Sequence, residues 1–402
     1  RNCRSICIGD GVFLKPFNKP IYVTRPLLPP LEELSKSLQD VWDAQWLTNN
    51  GAKHKELENK LRDYLKVPQL SLFNNGTIAL LVAIKALELT GEVVTTPFTF
   101  AATAHSVSWM GLEPVFVDID PVTMCIDPNR IEEAITPRTS AIMPVHVFGT
   151  PCDVKAIQEI ADKHNLKVIY DAAHAFGTEI DGTGIGSFGD ITMYSFHATK
   201  LFNSAEGGAL ACKSEELKKK IDLLKNFGIK NEEEVIEVGI NGKMNELQAA
   251  MGLAVLEHIE EERQKRAIIK QTYIENLKDI PGIKLMPDLP GVRSSHQYFA
   301  IRIDEEKFGR SRDYVYEELK KYNVFARKYF HPLCSNFECY RQLPSANPKN
   351  LPVASKIGNG VLSMPLYGGL TQEDVKRIAE IARWINEHRN TVSQRQDDNI
   401  QP

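Results

Sequence analysis

Two residues of this chain are of types that do chemistry and lie where a fold would present them. Lys200 closes the segment Ser195-Phe-His-Ala-Thr-Lys200, just after an apolar run, and the small-residue stretch Glu206-Gly-Gly-Ala209 follows. Most lysines are solvated surface residues. One shielded from water gives up its proton more easily and becomes a nucleophile toward carbonyls. Asp171 ends the apolar run Lys167-Val-Ile-Tyr170. A carboxylate there is costly unless it meets a cation or several donors. It reads equally well as a helix N-cap and as the partner of a metal or a protonated ligand nitrogen. A strand-end Asp followed 29 residues later by a strand-end Lys is more specific than either residue alone. The pair suits pyridoxal phosphate, whose ring nitrogen an Asp keeps protonated and whose aldehyde a Lys amine captures. Asn74-Asn75-Gly76-Thr77 is a third, weaker signal. A Gly there lets the backbone approach closely and the helix amides can hold a phosphate, but plain turn chemistry is its commoner use.

These residues need elements to carry them. Between about residues 70 and 230 short apolar runs alternate with helical patterns. Strands are predicted at 70–73, 92–95, 114–118, 140–147, 167–170, 191–196 and 208–212. Helices are predicted at 77–89, up to Trp109, and at 153–164. Alternating βα units imply a parallel-rich sheet covered by helices on both faces. In such a sheet ligands bind beyond the carboxyl ends of the strands, where Asp171, Ser195 and Gly76 fall. A long helix is predicted from Asn245 to about Lys265, and the charged run Glu260 to Arg266 reads as its solvated face. Beyond it, strands at 297–303, 324–329 and 362–366 and helices at 311–321 and 371–388 make a smaller α+β unit. Thr371 with Asp374 resembles a capping box.

Composition narrows the class. The chain has 402 residues, 43% apolar and 25% charged, with a formal net charge of −4. That is ordinary for a soluble globular protein of two or three domains. Lys and Arg are spread along the chain, so neither nucleic acid nor a membrane surface is an expected partner. Seven cysteines with no CxxC pair argue for neither a disulfide framework nor a metal site, and scattered free thiols suit a reducing cytoplasm. No stretch approaches the length of a membrane span. The first residue is Arg, so the chain as given is read as lacking its natural start, and Arg1 to Phe17 has no apolar run long enough for a signal peptide. Four segments are expected: an extension of unassigned role (1–20), an N-terminal segment with the large cofactor-binding domain (21–265), a small C-terminal domain (266–389), and a polar tail read as disordered (390–402).

From Ile21 to Arg389 the chain resembles the DegT/DnrJ/EryC1/StrS family of nucleotide-sugar aminotransferases. The blocks that carry the likeness are Trp46-Leu-Thr-Asn-Asn-Gly51, Asn75-Gly-Thr77, Thr96-Pro-Phe-Thr-Phe100, Asp171-Ala-Ala-His174, Ser195 to Lys200, Glu206-Gly-Gly-Ala209 and Gly239-Ile-Asn-Gly-Lys-Met-Asn-Glu246. The resemblance implies the type I, aspartate aminotransferase-like fold: a large, mostly parallel α/β domain plus a smaller α+β domain. It makes Lys200 the Schiff-base lysine and proton carrier, and sets Asp171 against the pyridine nitrogen. It makes Phe100 the aromatic on the ring, where the residue alone reads as core packing. It makes Gly76, Thr77 and Ser195 the phosphate cradle. Asn241 would reach the phosphate of a second subunit, which implies a homodimer with shared sites. His174 stands where many members carry Gln, near the ring hydroxyl. Lys243 replaces an Arg common in its block and is left unassigned. Tyr329 and His331 are candidate sugar-nucleotide contacts. His197 reads as a strand-end residue near the site, and His105 and His146 as structural. The implied reaction moves an amino group from glutamate to a dTDP-linked 4-keto-6-deoxy sugar, on the way to a bacterial surface polysaccharide such as an O-antigen. Amination at C3 is the alternative. A dehydratase is disfavoured by Lys200, and a non-catalytic binding protein by the complete residue set.

Overall fold

The computed structural model describes residues 14–388. The expected extension therefore lies mostly, and the expected tail wholly, outside the described residues. Seven strands form the main sheet, in the spatial order Gln69–Phe73, Gly208–Cys212, Ile191–Ser195, Lys167–Asp171, Thr139–Met143, Glu92–Thr95 and Glu113–Phe116. Only Gly208–Cys212 runs antiparallel to its neighbours. The central strands are apolar and buried at almost every position. That is the signature of a sheet covered on both faces, and it agrees with the α/β type I fold inferred above.

Helices between the strands start where side chains replace missing backbone partners. Asn75 caps Gly76–Ala86 by accepting from Ile78 N–H, and Asp153 caps Val154–His164 by accepting from Ala156 N–H. The sheet thus delivers the ends of its parallel strands, and the loops after them, to one edge.

The smaller unit has a three-stranded antiparallel sheet, Ile283–Leu285, Phe299–Ile303 and Val361–Met364. Helices Ile259–Leu277, Arg312–Lys321 and Gln372–Glu387 cover it. Thr371 and Asp374 form the expected capping box. Ile21–Tyr22 pairs in parallel with Val324–Phe325, tying the N-terminal segment to this unit.

Two expectations need correction. The single helix predicted from Asn245 to Lys265 is two, Glu246–Leu256 and Ile259–Leu277. Asn245 and Gln248 form a capping box on the first. The acidic run Glu260–Glu262 begins the second, where carboxylates favour the positive helix end. That run is not all solvated. Arg266 is 0% exposed, its Nε donates to Glu262 Oε1 at 2.6 Å, and the same oxygen accepts from Gly368 N–H at 2.9 Å. The predicted strand at 324–329 is only Val324–Phe325, because Tyr329 and Phe330 leave it to line the cavity described next.

Candidate active site

A cavity of about 670 Å³ opens at the carboxyl ends of the parallel strands. Gly76, Thr77, Phe100, Asp171, His174, Ser195, Lys200 and Tyr329 all line it, with His197 beside them. Residues named from far-apart parts of the chain therefore meet in one place. Asn241 and His331 do not line it. Asn241 is exposed, and its carbonyl accepts from the side chain of Asn74, a cavity residue, at 3.5 Å. His331 is exposed beyond Phe330.

Asp171 forms the buried floor. As the last residue of its strand it is only 5% exposed. One carboxylate oxygen accepts from Ala173 N–H at 3.0 Å and the other from Thr103 Oγ1 at 2.7 Å. Burial pushes its pKa up; the Thr103 hydroxyl, the Ala173 amide and the charge of Lys200 pull it back, in that order. Lys200 follows the turn after Ser195, its N–H donating to the His197 carbonyl at 2.8 Å. Burial lowers its pKa to about 8, with Asp171 acting in the opposite sense. An amine so poised is a nucleophile and base near neutral pH.

His174 sits in a box of rings. Phe330 lies parallel at 5.8 Å, Phe148 parallel at 6.4 Å and Tyr298 edge-on at 5.0 Å. Burial, with Lys200 as the second cause, holds its pKa well below the usual range, so it is a neutral imidazole. Phe100 is 62% exposed at the mouth, which excludes the core-packing reading. His146 is buried, stacks on Tyr170 at 4.7 Å and accepts from Cys152 N–H. His105 pairs with the Tyr340 hydroxyl at 2.7 Å. Both have structural partners. Lys243 donates to Asn226 at 2.7 Å.

The residues fit pyridoxal phosphate. Gly76 opens an 11-residue helix whose first amides have no intrahelical acceptor. A Cβ at position 76 would stand 3.1 Å from Met193 Sδ and 3.2 Å from Ser195 Cβ. A Cβ at Gly208 would lie 2.8 Å from the Gly76 nitrogen. The glycines thus keep an amide-lined notch open next to the Ser195 hydroxyl. Gly76, Thr77 and Ser195 can hold a phosphate, Asp171 a ring nitrogen, and Lys200 an aldehyde.

Sequence reasoning misses four contributors. Thr99 and Thr103 stand behind Asp171. Gln297 accepts from Leu201 N–H at 2.6 Å and donates to the Thr199 carbonyl at 3.0 Å, clasping the backbone on both sides of Lys200. Phe330 flanks His174. Phe330 and Thr99 carry a hint, as neighbours of Tyr329 and Phe100.

Known proteins resemble this chain along most of its length. Residues 31–383 match the DegT/DnrJ/EryC1/StrS aminotransferase family. A dTDP-4-amino-4,6-dideoxy-D-glucose transaminase of Escherichia coli is 49% identical over 367 residues, 90% of this chain and 98% of that one. The structure of DesI in the presence of its TDP-sugar product superposes with a TM-score of 0.90 at 37% identity, covering 95% of this chain and 97% of that one. Spr1654 of Streptococcus pneumoniae, solved in its PLP-form, gives 0.83 at 27% identity, covering 91% and 99%. With the cavity described above, these matches show that the chain belongs to the DegT/DnrJ/EryC1/StrS aminotransferase family, whose enzymes depend on pyridoxal phosphate.

Proposed function

We propose that this protein transfers an amino group from glutamate to a dTDP-linked 4-keto-6-deoxy sugar, giving dTDP-4-amino-4,6-dideoxy-D-glucose. One observation carries the reading: a poised Lys200 and a braced Asp171 face one cavity, in a chain 49% identical to a transaminase of that name over nearly its whole length.

Pyridoxal phosphate, when bound, supplies an aldehyde to hold the amino group and an electron-poor ring to spread negative charge. Lys200 would hold that aldehyde through Nζ. With its pKa lowered to about 8, a substantial share of the Lys200 amine is neutral near that pH, and it would move the proton at the donor's α-carbon. Asp171 holds the ring-nitrogen proton. His174, uncharged, offers a hydrogen bond at the ring hydroxyl, and Phe100 covers a ring face. Gly76, Thr77 and Ser195 hold the phosphate. Tyr329 on the cavity wall, and His331 two residues on, would meet the sugar nucleotide.

The site is completed by a second copy of the chain through Asn241. What supports this is a run of exposed apolar side chains around it, Val235, Ile236, Val238 and Ile240, with Trp42 and Trp46 also exposed. Clustered exposure of large apolar side chains is what an interface would cover. Light scattering should give twice the chain mass. The product is assigned to a bacterial surface polysaccharide such as an O-antigen, made in the cytoplasm. Among the described residues no helix is long and apolar enough to cross a membrane.

The deciding experiment offers glutamate with dTDP-4-keto-6-deoxyglucose and, separately, its 3-keto isomer, and identifies products by NMR. Amination at C4 is expected. Turnover of the 3-keto sugar alone would replace this function with C3 amination.

A further inference from the structure

We propose that Thr103 is the positioning residue for the Asp171 carboxylate, with Thr99 behind it as the second member of a buried hydroxyl relay. The inference rests on the reading that Asp171 faces the ring nitrogen of pyridoxal phosphate.

Thr99 Oγ1 and Thr103 Oγ1 are 2.8 Å apart, and Thr103 Oγ1 is 2.7 Å from Asp171 Oδ2. A hydroxyl has one proton to give. When Thr103 gives its proton to the carboxylate, Thr99 must supply the proton that Thr103 accepts. The relay therefore runs one way and ends on an anion. Both hydroxyls are closed off, Thr103 being 0% and Thr99 3% exposed, so bulk water does not compete. Threonine also has few rotamers, which fixes the direction of each bond.

The other carboxylate oxygen is held by Ala173 N–H. With both oxygens tethered, the carboxyl plane cannot swing, and its free lone pairs keep one heading into the cavity. The two threonines sit four residues apart, on the entry to and first turn of helix Ala101–Trp109, which also carries Phe100 before its start. One short helix end thus sets the heading of Asp171 and presents the ring-facing aromatic.

The test uses cofactor-free protein and reads the pyridoxal phosphate dissociation constant by spectral titration. Variants are Thr103→Val, Thr103→Ser, Thr99→Val, Asp171→Asn and the double variant Thr103→Val/Asp171→Asn. Val keeps the volume and removes the donor. Loss of a hydrogen bond to a charged group should weaken cofactor binding about 10- to 100-fold in Thr103→Val. Thr103→Ser should stay within about threefold of wild type, and Thr99→Val should fall between them. In the Asp171→Asn background the valine should add less than about twofold, because its effect passes through the carboxylate. Equal weakening in both backgrounds would show a packing role and overturn the proposal, as would wild-type affinity in Thr103→Val. Should Thr103→Val fail to fold, Thr99→Val with and without Asp171→Asn applies the same criterion. Unchanged affinity in Asp171→Asn alone would instead remove the reading of Asp171, a result distinct from either of those.

Discussion

The floor and the mouth of the cavity are built by opposite rules. At the floor, Asp171 is buried and both its oxygens are bonded, and His174 is boxed by parallel rings. A buried carboxylate is tolerated there because two donors and a nearby cation offset part of its lost hydration, although burial still leaves its pKa raised. At the mouth, Phe100 stands in the open, 62% exposed. Such apolar surface stabilises nothing within one chain. The difference teaches how tasks are divided. The floor fixes ring chemistry with a strand-end carboxylate braced by groups from a helix and several loops, whereas the mouth leaves its aromatic unpacked. Substitutions at the floor should therefore cost cofactor binding or chemistry, and those at the mouth binding with little change in stability.

The largest effect is expected at Lys200. Lys200→Ala removes the one amine on the reacting side of the cavity, and turnover should fall about a thousandfold or more. Borohydride should no longer fix pyridoxal phosphate to the protein. Retained turnover with retained covalent capture would mean that another group does this work. Gln297→Leu tests the floor more gently. It keeps the bulk and removes both hydrogen bonds that clasp the Lys200 backbone. Misplacing a reacting group by a fraction of an ångström is costly, so kcat should drop about 10- to 100-fold while KM moves little. A raised KM with unchanged kcat would place Gln297 with the mouth instead.

The floor was also the more legible region, for a physical reason. Strands buried on both faces leave unbroken apolar runs, so a charge ending such a run, as Asp171 does after Tyr170, stands out. Lys200 stands out in the same way after Ile191–Ser195. Its supports do not. Thr103 looks like any helix residue until the fold brings it beside a residue 68 positions away, and Gln297 acts across 96 positions on Leu201. Arg266 could have been found. Glu262, Arg266, Ile269 and Tyr273 share one helix stripe, and two apolar members mark that stripe as buried. Reading the charges as a run hid their spacing. Phe100 shows the converse: an aromatic suggests core, and only the structure places it in the open.

Phe100→Ala bears on the mouth. The ring is exposed, so its loss should hardly change thermal stability, and cofactor affinity should weaken about tenfold through lost stacking. A large fall in melting temperature would make Phe100 a packing residue and the mouth as tightly packed as the floor.

The smallest effect comes from pH and returns to the floor. Burial lowers the Lys200 pKa to about 8, while the same lysine in an unfolded chain titrates near its ordinary value of 10.5. Only the neutral amine attacks an aldehyde. Capture of pyridoxal phosphate by the cofactor-free protein should therefore quicken about fivefold from pH 7 to pH 8 and level off above that. The stability linkage has the same origin. Between about pH 8 and the unfolded value the unfolded chain binds a proton that the folded chain does not, so this group's contribution to stability grows with rising pH across that window. Below about pH 8 both states hold the proton and the burial penalty on the charged amine is felt in full. His174 cannot supply the same profile, because burial keeps it neutral throughout this range. A capture rate that kept climbing toward pH 10 would mean that Lys200 is solvated like a surface lysine, and the floor would then be as open as the mouth.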